Sequence, residues 1–469
     1  MCKLRPVLTS PPRPRAVLIL LAVSLSPALS IPKNLLEQKP QAAATRSVGC
    51  TLYASPSGHD QNSGTTPLAP KTFLGAAAAT QPGSMVCLLA GTYKLAATFY
   101  PPVSGRPSAW IVYKSYGDAP VKLVWTGGAI GQPMFKFGNA KFPSGAAYLE
   151  FRGLNLDGQD NALDGFFCQG GHHLRFISNR INNTGGSGVG AVNCDYLTTD
   201  HNLINHNGYL YGWTSAVSYN SMQWFDKYDG FHNIISNNVI TGEYDGSRHH
   251  TDGNGIILDL SNGTYDYNSA NTPPALVLNN VVYGNGGRCI EAYTVTNFWI
   301  VNNTCYKNGL DSLMSTAGSI TTNNSRDGYI INNITVAWRS SNPSYDQQNN
   351  NANIRYDADL YFGSDNNFKD AAASTLFEAD PLFVNPPPFD AKSEKQYEKS
   401  LAPSHLGKRL MLRPSSPALK KGIDPSTLPN LPKAIVTDLR KYIYTDINGN
   451  PRPRGGPFDL GAYETGRTH

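Results

Sequence analysis

The feature that most constrains this chain is a pentapeptide that keeps returning with asparagine near its centre. It occurs as Ile177-Ser-Asn179-Arg-Ile181, Thr199-Asp-His201-Asn-Leu203, Ile235-Ser-Asn237-Asn-Val239, Val277-Leu-Asn279-Asn-Val281, Ile300-Val-Asn302-Asn-Thr304 and Ile330-Ile-Asn332-Asn-Ile334. With 179, 201, 237, 279, 302 and 332 as centres, the spacings are 22, 36, 42, 23 and 30 residues, so the period is 22–23 with about 14, 20 and 7 extra residues in three intervals. Ankyrin, TPR and WD40 periods do not match. One coil of a solenoid does: three short strands and three turns close a coil that stacks about 4.8 Å from the next. The asparagine falls where the chain bends between strands, where an inward amide bonds its counterparts and the turn backbone of neighbouring coils. The extra residues of 203–235 and 241–275 must then bulge from the turns, forming one wall of a groove on the outside of the solenoid.

Composition agrees with an all-β chain. Charged residues are 16%, well under the roughly 25% of an average soluble protein, and 44 Gly, 33 Pro and 25 Tyr favour turns and strands over long helices. Residues 1–30 read as an export signal: a basic stretch to Arg15, an apolar run Ala16 to Leu25, and small residues at Ala28-Leu29-Ser30. The apolar run is about ten residues, half of what spans a bilayer. The formal charge of +5 falls to +1 once Lys3, Arg5, Arg13 and Arg15 are set aside, which gives no electrostatic case for nucleic acid. A secreted or extracytoplasmic monomer is expected. Six cysteines remain beyond Cys2, an even number that suggests disulfides with fifteen full pairings; Cys289 with Cys305 is preferred because they are only 16 residues apart.

Residues 31–48 are polar and read as a flexible leader; 49–364 hold the solenoid, opened by a short helical cap in the Ala-rich stretch 75–80; 365–469 read as a strand-and-loop tail covering the last coils. The opening Tyr53-Ala-Ser-Pro-Ser-Gly58 to Leu89-Ala-Gly91-Thr-Tyr93, the Asn-centred coils, and the tail pattern Ala379-Asp380-Pro to Phe458-Asp459-Leu-Gly461-Ala-Tyr-Glu464 together resemble the secreted right-handed parallel β-helix proteins of the pectate-lyase-like superfamily. The resemblance covers roughly residues 50–464. It implies a polysaccharide partner, and it leaves open lyase, hydrolase, epimerase and non-catalytic roles. Lyases of that kind use bound Ca²⁺ with a Lys or Arg base.

The densest polar cluster runs from Glu243 to Asp259, with Arg248, His250, Asp252 and Asn254, and continues in the next coil with Arg288, Glu291 and Tyr293. Aligning Gly255-Ile256 with Cys289-Ile290 turns Ile256, Leu258, Ile290 and Ala292 inward, and Asp259, Glu291 and Tyr293 outward. Glu291 then lies over Ile257, diagonal to Asp259 at about 8 Å, within the roughly 6.5–9.5 Å carboxyl separation of an inverting glycosidase. Arg288 is placed to bind a uronate carboxylate or to lower the pKa of Asp252. Catalysis is therefore expected from Asp252, Asp259, Arg288 and Glu291, and substrate contacts from Arg248, His250, Asn254 and Tyr293. A second cluster supplies Trp224 and Tyr228 as an aromatic platform, Lys227 as a lyase base, and Asp226 and Asp229 as Ca²⁺ ligands. A non-catalytic glycan-binding or structural solenoid of the cell envelope is the alternative.

Overall fold

The computed structural model describes residues 49–465 apart from 129–130, 139–144, 261–270, 315–316, 365–374 and 389–407; the expected export signal and leader lie outside the described residues. The chain is a right-handed parallel β-helix. Among the described residues it forms three parallel sheets of 11, 11 and 8 strands, called here A, B and C. Each coil visits them in turn: Asn233–Ser236 lies in A, Val239–Thr241 in B and Ile256–Asp259 in C, before Ala275–Leu278 returns to A one coil on. Alternate residues fill the interior, where Ile235, Ile240, Ile256 and Leu258 are buried among their counterparts of adjacent coils. The expected cap is a six-residue helix, α1 (Phe73–Ala78), whose N-cap Thr72 accepts from Gly75 N–H. Its Phe73 packs within 4.7 Å of Phe99 and closes the first coils.

The asparagine repeat is real, but after Asn179 its register is one residue later than expected. The inward ladder is Asn179, Asn202, Asn238, Asn280, Asn303 and Asn333, closed by Asp359; each backbone N–H donates to the next Oδ1 at 2.6–3.0 Å. Each Asn Nδ2 also donates to a strand-end carbonyl of the preceding coil, as Asn280 does to Ile235 O at 2.9 Å. The centres chosen from sequence are instead the corner residues: His201, Asn237, Asn279, Asn302 and Asn332 all have φ between +54° and +60°. Asn tolerates that left-handed conformation better than most residues, so the Asn-Asn pair serves two purposes, one turning the chain and the other bonding the coils. A second ladder stands at the turn from B to C, linking Thr184, Asn207, Glu243, Asn285 and Asn308.

Three disulfides are formed: Cys50–Cys87, Cys168–Cys194 and the expected Cys289–Cys305. They suit an oxidising compartment. No helix among the described residues is long and apolar enough to cross a membrane. The tail carries a helix that composition did not announce, α2 (Lys433–Tyr442), and its described residues run along the flank of the solenoid. Ile435, Leu439 and Ile443 recur every four residues and cover an apolar outer face of sheet A that includes Leu276, Trp299 and Ile331. Leu460, Ala462 and Tyr463 cover the outside of sheet B in the same way.

Candidate functional site

Sheet C is the face that the described residues of the tail leave open. Its outward positions form two rows: Ser218, Ile257, Glu291, Thr321 and Asp346 in one, and Asn220, Asp259, Tyr293, Asn323 and Gln348 in the other. A groove of about 740 Å³ lies over these rows. The insertions do not make a single wall. Each divides between two corners, so 206–216 and 242–255 rise at the B-to-C turn, while 221–232 lies beyond the other edge of sheet C.

The B-to-C wall brings the expected carboxylates together. Asp245 ties down the loop by accepting from the N–H groups of Ser247 and Thr251 at 3.0 Å each. This presents Asp252 at the mouth of the strand Ile256–Asp259. The Asn254 amide nitrogen donates at 3.2 Å both to Asp252 Oδ1 and to Glu291 Oε2, bridging two acids from successive coils. Arg288 approaches Glu291 Oε2 at 3.3 Å and donates to Thr251 O at 3.2 Å. Asp259 accepts from Asn220 Nδ2 at 3.1 Å on the groove floor. The strand alternation falls as read, but Glu291 is only 4% exposed, because Arg288 and the 242–255 loop cover it. It points out of the solenoid without reaching bulk water.

Burial governs the electrostatics. Desolvation, and then the charge of Glu291, push the Asp252 pKa up to about 7, outweighing Arg288. Arg288 does lower that pKa, as expected, but desolvation and the charge of Glu291 together outweigh it. Glu291 is also raised, first by desolvation, and with Asp259 and Asp346 adding like charge. Asp252 and Glu291 therefore hold a proton between them near neutrality.

Of the other expected residues, His250 lines the groove with its Nδ1 2.7 Å from Asp311 Oδ2, and Tyr293 sits beside Asp259. Arg248 is exposed and does not line the groove. The second cluster belongs to the turn from C to A and faces sheet A. Trp224 Nε1 donates to Asn271 O at 2.9 Å, and the Tyr228 hydroxyl donates to Asp438 of α2 at 3.0 Å. Asp226 Oδ1 accepts from the Tyr196 hydroxyl at 2.9 Å and from Tyr228 N–H at 3.0 Å; Lys227 and Asp229 are exposed. None of these five lines the groove. Among the described residues no group of three or more His, Cys, Asp or Glu is arranged to hold a metal ion.

Among the groove residues that escaped the sequence reading, two are large and exposed. Leu313, 69% exposed, lines the far end. Trp213, 67% exposed, stands on the wall with φ +58° and stacks on His249 at 3.9 Å. A left-handed Trp costs of order 1 kcal/mol or more. The preceding Gly212 makes the approach feasible, since a Cβ there would lie 2.6 Å from Ser247 Oγ and 2.7 Å from the His249 ring. The sequence cue was Tyr-Gly-Trp213 in the 203–235 insertion, but nothing in spacing joins it to His249.

No family model and no curated protein sequence matches the chain. Among solved structures it is similar to pectate lyase Pel9A, at 17% identity over 88% of this chain and 96% of that one, with a TM-score of 0.48. It is similar to a glycoside hydrolase at 10% identity, over 70% of this chain and 94% of that one, with a TM-score of 0.49. It is also similar to the GH136 lacto-N-biosidase from Eubacterium ramulus, at 15% identity over 66% of this chain and 56% of that one, with a TM-score of 0.43. Likenesses at this level carry no statement about substrate or reaction.

Proposed function

We propose that this chain is a secreted carbohydrate-active enzyme that hydrolyses a polysaccharide lying in the groove over sheet C. The observation that carries the reading is the acid pair bridged by Asn254. Asp252, with its pKa raised to about 7 by burial and by Glu291, keeps a proton at neutral pH, which a general acid needs. Asp259, on the floor at the end of the strand that follows Asp252, is held by Asn220 and is the base. By strand register Asp259 lies about 8 Å from Glu291, the acid that Asn254 ties to Asp252. In the reaction Asp259 takes a proton from a water as its oxygen attacks the anomeric carbon. The glycosidic C–O bond breaks, and the leaving oxygen receives the proton held by Asp252 and Glu291.

The competing reaction, β-elimination, needs a base to remove a carbon-bound proton. Lys227 lies at the wrong corner for that, and Arg288 is occupied by Glu291. Incubation with a panel of plant and algal glycans separates the outcomes. Hydrolysis yields new reducing ends without an unsaturated, ultraviolet-absorbing product, and its rate falls as the pH rises through about 7, because the acid loses its proton. Binding without product from any glycan, by correctly folded protein, would make the chain a non-catalytic glycan-binding solenoid.

A further inference from the structure

The charges and apolar surfaces of the groove say more about its substrate than its acids do. Arg288 is the only Lys or Arg among the described residues that line it, and its guanidinium is already bonded to Glu291 and to Thr251 O. Against it stand Asp252, Asp259 and Glu291, with Asp346 two coils beyond Glu291 along the same outward row. His250 offers no free positive charge either, since its Nδ1 faces Asp311 at 2.7 Å. A polymer of uronates would bring a carboxylate on every sugar into a row of carboxyls, where like charges repel strongly at short range. The remaining floor is made of Ser218, Asn220, Asn323 and Gln348, groups that bond sugar hydroxyls without a charge of their own.

The wall supplies the apolar element. Trp213 has one ring face on His249 and is two-thirds exposed where it lines the groove, so it offers a flat surface to the C–H face of a pyranose. Its backbone stands in a conformation that a bulky residue rarely adopts, held by the close packing of Gly212 on Ser247 and His249. Elimination also drops out for an uncharged sugar, because only a carboxylate beside the carbon makes its proton removable. We infer, resting on the hydrolase reading above, that the groove takes a neutral polysaccharide and that Trp213 is its stacking subsite.

The test uses the full mature chain carrying Asp259→Asn, so that oligosaccharides bind without turnover. Hexasaccharides of neutral sugars (glucose, xylose, mannose and galactose backbones) and of uronates (galacturonate and mannuronate) are titrated calorimetrically and by tryptophan fluorescence. The expected result is binding of a neutral hexasaccharide with a change in fluorescence, weakened about tenfold by adding Trp213→Ala and largely retained with Trp213→Tyr. The melting temperature should not move in either variant, because the side chain is exposed. Preferential binding of a uronate hexasaccharide overturns the substrate class while leaving a glycan-binding groove in place. Unchanged binding in Trp213→Ala overturns the stacking subsite. Failure of every hexasaccharide to bind, together with no cleavage of any glycan by the unsubstituted protein, overturns the enzymatic reading and this inference with it.

Discussion

Sheets A and C are made by the same coils with the same alternation of inward and outward residues, yet their outer faces end differently. In sheet A the outward row of the middle coils is Leu276, Trp299 and Tyr329, and α2 covers it. In sheet C the matching positions are Ile257, Glu291 and Thr321, and the groove stays open over them. A solenoid buries its interior by repetition alone, so the identity of the outward residues decides whether a flank becomes structure or site. Apolar outward rows recruit chain; polar ones keep a surface available.

That contrast is open to direct attack. The largest effect belongs to the groove: Asp259→Asn should lower turnover by about 10²–10⁴, with little change in melting, since the side chain is half-buried and leaves no cavity. Asp252→Asn should do the same and also flatten the dependence of stability on pH. The raised pKa of Asp252 makes its contribution to stability fully present below the unfolded value of about 4 and lost as the pH rises to about 7. Kinetics and melting measured across that window on one preparation check both statements.

The opposite face should respond in the opposite way. Leu439→Ala, in a fully buried position of α2, should cost about 2–5 kcal/mol in denaturant unfolding and leave kcat and KM of the folded protein unchanged. Lost activity at full stability in this variant would mean that the two flanks are coupled and the contrast is false.

The smallest effect sharpens the comparison inside a single corner. Asn238→Ala removes the acceptor of Asn202 N–H and the donor to Thr199 O, both buried, and should cost about 1–3 kcal/mol. Its neighbour Asn237 turns the chain at φ +56°, so Asn237→Gly should be nearly neutral, because Gly adopts that conformation freely. Equal losses in chemical denaturation would show that the two asparagines do not have separate tasks.

The period, the coil and the inward strand residues were legible because burial repeats with the backbone. The ladder register was misread where two adjacent asparagines made either choice fit. Ser178-Asn179 and His201-Asn202 held the resolving signal: only the second position is Asn in all six segments. The carboxyl cluster could be placed from strand alternation, since Ile257 pairs with Glu291 in the expected register. What alternation does not encode is how loops fold over a face. Hence Glu291 was read as solvent-facing, Trp224 and Tyr228 were put beside a groove they turn away from, and Trp213 was overlooked. The helix at 433–442 was hidden for a related reason. Its Ile435, Leu439 and Ile443 make sense only against an apolar flank that exists after the coils have stacked.

The tail also changes how the solenoid can come apart. A stack of coils held only by nearest neighbours frays from its ends, losing one coil at a time at a cost set by a single interface. Here α2 and the segments on either side of it span several coils at once: Asp438 accepts from Phe231 N–H at 2.9 Å, Asn279 Nδ2 donates to Thr445 O at 2.8 Å, and Asn332 Nδ2 donates to Ile423 O at 2.8 Å. Opening one of these coils strips the strap from the others. The outward corner asparagines thus act as cleats for a longitudinal cable, turning a one-dimensional array into a body that opens all together.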